Sequence, residues 1–159
     1  MKNNKALIIL LLSAALWILM LLSAAPKLIT HAAGDMPTAE EIAEEEYWDS
    51  LELLAICVEA EAGNQGLDGK RMVADVILNR VDDPDWPDTI EGVISQPVHF
   101  SSYWDGGMDR VSVSEETFQA VRMELENRSW PGIYYFTAGS YGAYGTPWKK
   151  VGDHYFSGK

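Results

Sequence analysis

From Asp49 to Ala62 apolar side chains recur at helical spacing. Leu51, Leu54 and Val58 stand at i, i+3 and i+7, and Glu61 continues their stripe at i+10. Gly63-Asn64 closes this helix with residue types that favour a C-terminal cap. Residues 68–81 predict a second amphipathic helix with Met72, Val73, Val76, Ile77 and Leu78 on its apolar face. Asp82-Asp83-Pro84 and Trp86-Pro87 then force a turn. A short helix is expected over Thr89–Ser95, stopped by Gln96-Pro97, and residues 99–113 read as irregular. Ser114-Glu115-Glu116 opens a third long helix, running to about Asn127, with its acids where the helix dipole favours them. Ile133–Thr137 reads as a strand, and a second strand over 148–156, beyond a Gly/Tyr-rich loop, completes a C-terminal β-hairpin. The expected body is α+β, with helices leading.

Ahead of this body, Ala6 to Ala25 forms an uncharged apolar run preceded by Lys2 and Lys5. As a helix it is about 30 Å long, close to the hydrocarbon thickness of a bilayer. Two readings stay open: an uncleaved membrane anchor, or a secretory signal peptide cut near Thr30-His31-Ala32-Ala33. Under either, the positive end stays inside and the body is exported, tethered facing the cell wall or secreted. Between Asp35 and Glu52 there are eight carboxylates and no Lys or Arg. The chain therefore divides into residues 1–34 (signal peptide or transmembrane anchor), 35–46 (acidic linker) and 47–159 (folded domain).

Composition narrows the function. The 159 residues carry a net charge of -12, and without the three lysines of residues 1–34 the remainder has 9 basic and 24 acidic residues, a net of -15. Nucleic acid needs a basic footprint and is excluded as a partner. One cysteine excludes an internal disulfide framework and a multi-cysteine zinc site. Cys57 lies within an apolar helical stripe without a glycine-rich nucleophile turn, which argues against a Cys–His peptidase. Asp82, Asp83, Asp85 and Asp88 offer oxygen ligands suited to calcium, but two prolines explain the cluster as a turn, and no metal or other cofactor is expected.

Glu59 and Glu61 lie about 200° apart on one helix and cannot share a face. Glu59 aligns with Glu52 on the polar side, whereas Glu61 continues the core-facing stripe. An acid there is paired, protonated or lining a cleft, because burying it charged and alone is costly. A protonated carboxyl in a cleft is what a general acid requires, and a capping Glu at a helix end is the structural alternative.

Glu59-Ala60-Glu61-Ala62-Gly63-Asn64, Gly69, Val73-Ala74 and Val76-Ile77-Leu78-Asn79-Arg80-Val81 resemble the SleB/CwlJ-type cell wall hydrolase family. So do Pro87, Thr89-Ile90, Gly92-Val93-Ile94, Gln96-Pro97 and Phe100-Ser101, then Tyr134-Tyr135-Phe136 and Gly152-Asp153-His154-Tyr155-Phe156. The resemblance covers roughly residues 51–157. It implies a lysozyme/lytic-transglycosylase-like helical domain that degrades peptidoglycan, and it places the catalytic glutamate of the family's E-A segment at Glu61.

The implied reaction breaks the bond between N-acetylmuramic acid and N-acetylglucosamine. A lytic transglycosylase does this with one Glu as acid and then base. A muramidase adding water is the alternative inside the enzyme class, and a catalytically silent peptidoglycan-binding protein is the alternative outside it. Asp75, Asp105 and Asp109 are weaker candidates for a second acid. Gln96 and Ser101 are candidates to hydrogen-bond sugar hydroxyls, and Tyr103, Trp104, Tyr135 and Trp148 to stack on sugar faces. Tyr134 and Tyr135 point to opposite sides of a strand, so at most one faces a groove. Asn79-Arg80 and His154 read more readily as structural residues, and His99, next to Phe100, is open to either reading.

Overall fold

Helix α1 (Ala39–Ala62) starts well before its apolar stripe, at Ala39 rather than Asp49. Glu and Ala are good helix formers, and Glu40 and Glu41 in the first turn suit the helix dipole, so the acidic stretch joins the helix although its side chains are largely exposed. The structure, a computed structural model, describes residues 36–159. The expected apolar N-terminal helix and its cleavage site lie outside the described residues. Among those described, no helix is long and apolar enough to cross a membrane.

Residues Ala39–Lys159 form one compact unit. Helix α2 (Leu67–Val81) lies at its centre, every residue from Met72 to Arg80 being buried. Helix α3 (Ile90–Ile94) starts at Thr89, whose hydroxyl accepts the Gly92 N–H. The stretch expected to be irregular contains a one-turn helix, α4 (Ser101–Trp104), and a 3₁₀ turn at Met108–Arg110. Helix α5 (Glu115–Glu126) is capped by the Ser114 hydroxyl, which accepts the Thr117 N–H. The apolar stripe of α1 (Leu51, Leu54, Val58) packs with Met72, Val73, Val76 and Ile77 of α2 and Val121 of α5 in one core, closed by Phe100 and Phe156.

The C-terminal region forms three strands where two were expected: β1 (Ile133–Ala138), β2 (Thr146–Val151) and β3 (His154–Gly158), antiparallel in the order β1-β3-β2. The expected strand over 148–156 is broken by a two-residue turn at Gly152-Asp153. Gly152 has φ +56°, as the first central position of a II′-type hairpin turn requires. Its missing side chain also leaves room for Gln65, whose Oε1 accepts the Asp153 N–H at 2.9 Å. Gly152→Ala places a methyl group onto that oxygen and strains the backbone, so urea unfolding is expected to show a loss of about 1–3 kcal/mol.

The end of α2 fastens the sheet. Asn79 Nδ2 donates to the carbonyls of Trp130 and Ile133, both at 2.8 Å, and Arg80 Nε donates to the Tyr134 carbonyl at 2.8 Å. These bonds fix β1 across α2, so that Tyr135 and Thr137 share a wall with their partners Ser157 and Tyr155 on β3.

Candidate active site

Glu61 ends the α1 stripe, and unlike the buried Leu54 and Val58 before it, it is only half-buried. Its Oε1 accepts a hydrogen bond from the Ser102 hydroxyl at 2.5 Å, which ties the last turn of α1 to α4. Among the described residues nothing donates to Oε2. The carboxyl thus has one oxygen held and one available, the arrangement a proton carrier needs.

Glu59, expected on the polar side, is half-buried, and its Oε2 takes three hydrogen bonds. The Ser114 N–H and hydroxyl donate to its Oε2 at 3.1 and 3.0 Å, and the Thr117 hydroxyl donates to the same oxygen. Desolvation acts to raise its pKa, but these bonds, with the nearby Lys70 charge, bring it below the usual value. Glu59 is therefore an ionised anchor for the N-terminus of α5. The two acids of the E-A segment have separate tasks because their faces meet different elements.

Beside α4 two hollows share Val98. One is an open depression lined by Pro97, Val98, Ser101, Trp104 and Asp105. The other is a cavity of about 460 Å³ whose walls include Arg80, Trp86, His99, Tyr135 and Tyr144. Glu61 is a wall of neither hollow; its link to them is the bond to Ser102 on α4, the helix whose Ser101 and Trp104 line the depression and whose N-cap Phe100 lines the cavity.

Of the sequence candidates, Ser101 and Trp104 therefore lie in the open depression and Tyr135 in the cavity. Tyr103 is half-buried, edge-on to Trp104, with its hydroxyl 3.4 Å from Glu91. Gln96 is half-buried and its Oε1 has no donor among the described residues. Trp148 stands apart from these, on exposed β2 over a third depression shared with Trp130 and Pro131. Tyr134 packs under Lys159, whose ammonium is 5.5 Å from its ring. Sequence reasoning missed Arg80 and His99 as cavity residues, although Arg80 lies four positions after Val76 on the buried face of α2.

The weaker candidates have structural tasks. Burial, and then the charge of Glu61, push the Cys57 thiol far above its usual range, so it supplies no thiolate at neutral pH. Lys159 spans Asp83 and Asp85, and Arg128 reaches Asp82 at 3.4 Å. Among the described residues no group of three or more His, Cys, Asp or Glu is arranged to hold a metal ion. His154 is buried among Phe136 and Phe156.

Asp75 is fully buried, and its Oδ2 accepts the Trp130 N–H at 2.7 Å. Desolvation raises its pKa to about 7; the Trp130 N–H opposes this and Glu124 reinforces it. Its Oδ1 has no donor among the described residues, a lack that a protonated carboxyl removes by donating toward Glu124. The folded chain then binds this proton more tightly than the unfolded chain does. The stability it contributes is present below about pH 4 and is lost as pH rises to about 7. Asp75→Asn keeps an acceptor for Trp130 and is expected to flatten that slope in urea titrations between pH 4 and 8.

Residues 64–157 match the model of the Cell Wall Hydrolase family, a stretch that begins just after Glu61. The chain is 33% identical over 114 residues to the spore cortex-lytic enzyme of Bacillus subtilis (strain 168), covering 68% of this chain and 37% of that protein. Identity to the spore cortex-lytic enzyme of Halalkalibacterium halodurans is also 33%, over 68% of this chain and 34% of the relative. The chain thus spans little more than a third of the length of these curated relatives. Among solved structures, the catalytic domain of the Bacillus cereus SleB protein superposes with a TM-score of 0.60 at 26% identity, covering 69% of this chain and 90% of that one. The catalytic domain of the germination-specific lytic transglycosylase SleB from Bacillus anthracis shares the fold at TM-score 0.59 and 23% identity, over 80% and 99% of the two chains.

Fold and family model define the class: this is a cell wall hydrolase domain, helical with a small antiparallel sheet. Within that class the chain belongs to the SleB/CwlJ-type family.

Proposed function

We propose that the chain cleaves the glycan strands of peptidoglycan between N-acetylmuramic acid and N-acetylglucosamine, as a lytic transglycosylase on a lysozyme-like scaffold. The observation that carries this reading is the Glu61 carboxyl, with Oε1 held by the Ser102 hydroxyl of α4 and no donor on Oε2 among the described residues; Ser101 and Trp104 of the same helix line the open depression. Glu61 gives its proton to the glycosidic oxygen as the bond to the muramic anomeric carbon breaks through an oxocarbenium-like transition state. The muramic C6 hydroxyl then attacks that carbon, closing the 1,6-anhydro ring, and its proton passes to the Glu61 carboxylate. Atoms balance without water, the acid is regenerated, and a second carboxylate is unnecessary.

Ser101 and Trp104 are the proposed sugar contacts in the open depression, and Tyr135 lines the adjoining cavity. Gln96, Tyr103 and Trp148 are proposed contacts for more distant parts of the polymer. The first 34 residues are proposed to carry the body out of the cytoplasm, as anchor or as removed signal, leaving residues 47–159 as the catalytic domain facing the wall. The relatives' names support a wall substrate.

Digestion of purified sacculi in H₂¹⁸O tests the mechanism. Anhydro ends without ¹⁸O are expected in the mass spectrum. Reducing ends carrying ¹⁸O replace transglycosylation by muramidase hydrolysis, and bound sacculi without released fragments replace the enzyme by a wall-binding protein.

A further inference from the structure

The cavity beside α4 contains a cation that the fold does not neutralise. Arg80 is 4% exposed, and its guanidinium carbon stands 4.2 Å from the centre of the Trp86 ring. Nε is used by the Tyr134 carbonyl, and Nη1 lies 3.2 Å from His99 Nδ1. Among the described residues nothing accepts from Nη2, and no carboxylate forms an ion pair with Arg80. The contrast with Arg71 and Arg128, paired with Glu124 and Asp82, is direct. Desolvation lowers the Arg80 pKa to about 10, which leaves it charged at neutral pH. In a protein of net charge -12 an unpaired buried cation facing a cavity is an anion site by its chemistry.

His99 adds a second donor. Because Nδ1 accepts from Arg80, the ring hydrogen of the neutral imidazole is on Nε2. Partial desolvation of this exposed ring and then the Arg80 charge hold its pKa below the usual value, which favours the neutral form. Trp86, Tyr135 and Tyr144 wall the space, the last two rings stacked with centroids 6.1 Å apart. Two polar donors among aromatic walls suit a carboxylate on a short, partly apolar branch.

We propose that this cavity is a subsite for a free carboxylate of the peptide stem carried on the muramoyl branch. The proposal rests on the reading of the chain as a glycan-strand enzyme, because it is the shared rim at Val98 that places the cavity alongside the strand.

The test is titration calorimetry on the full chain with N-acetylmuramoyl-L-Ala-D-Glu, its diamide and N-acetylmuramic acid. The free dipeptide acid is expected to bind about tenfold or more tightly than the diamide. N-acetylmuramic acid, whose lactyl carboxyl is amide-bonded wherever a stem is attached, is expected to bind more weakly than the dipeptide acid; equal or tighter binding overturns the assignment to the stem. Arg80→Gln is expected to erase the preference for acid over amide. The comparison on the native chain stands even where that variant fails to fold. Tyr144→Ala, at a 74% exposed position, is expected to weaken acid and amide alike. Equal affinity for acid and diamide, or no saturable binding of either, overturns the proposal. Strand cutting without acid preference removes the subsite and keeps the enzyme; acid preference in a chain that cuts nothing does the reverse.

Discussion

Arg71→Met is expected to cost about 3–5 kcal/mol of stability, read as a lower urea midpoint at unchanged slope. Arg71 Nε and Nη2 reach Glu124 Oε1 at 2.7 and 2.6 Å, and the Glu124 side chain is completely buried. It also accepts from the Ser129 N–H and hydroxyl, at 2.8 and 3.0 Å. Methionine keeps an apolar stem against Trp130, over which the Arg71 guanidinium now lies at 5.0 Å, so the lost charge dominates the change. A carboxylate left buried without its cation is among the larger single-site penalties. Arg71→Met combined with Glu124→Leu, which removes both charges, is expected to recover much of the loss. A single-variant cost below about 1 kcal/mol contradicts an ionised Glu124.

The region of this network explains how far sequence reasoning reached. The stripe Leu51–Leu54–Val58, the Thr89 and Ser114 caps and the apolar face of α2 were legible, because each is set within one or two helical turns. The start of α1 was not. Its first residues are exposed and lack an apolar stripe, so only helix propensity and charge placement mark them. The break between β2 and β3 had a local signal in Gly152-Asp153, but it sits inside a run that otherwise alternates as a single strand. Glu61 stood out as an acid on an apolar stripe, and the same argument applied to Arg80 would have located the cavity. What it could not supply is the absence of a partner carboxylate, which depends on Trp86, His99 and Tyr135 arriving from three separate segments.

Glu61→Gln is expected to reduce strand cleavage by at least about 100-fold, the effect of removing a positioned acid. Glutamine retains the shape and an acceptor for the Ser102 hydroxyl but cannot deliver a proton. Because Glu61 is only half-buried, the unfolding midpoint is expected to stay within about 0.5 kcal/mol of the native chain. Ser102→Ala, which frees the carboxyl without removing it, is expected to give a smaller loss, in rate more than in KM. Glu59→Gln is expected to show the opposite profile, with lower stability from a loosened α5 N-terminus and proton transfer intact.

The most direct measurement is the release of soluble fragments from purified sacculi by the full chain and by its Glu61→Gln variant, followed by mass spectrometry. Cleaved glycan fragments from the native chain, and at least about 100-fold fewer from an equally stable variant, are the predicted result. Equal release by both proteins contradicts the assignment of Glu61 as the proton carrier.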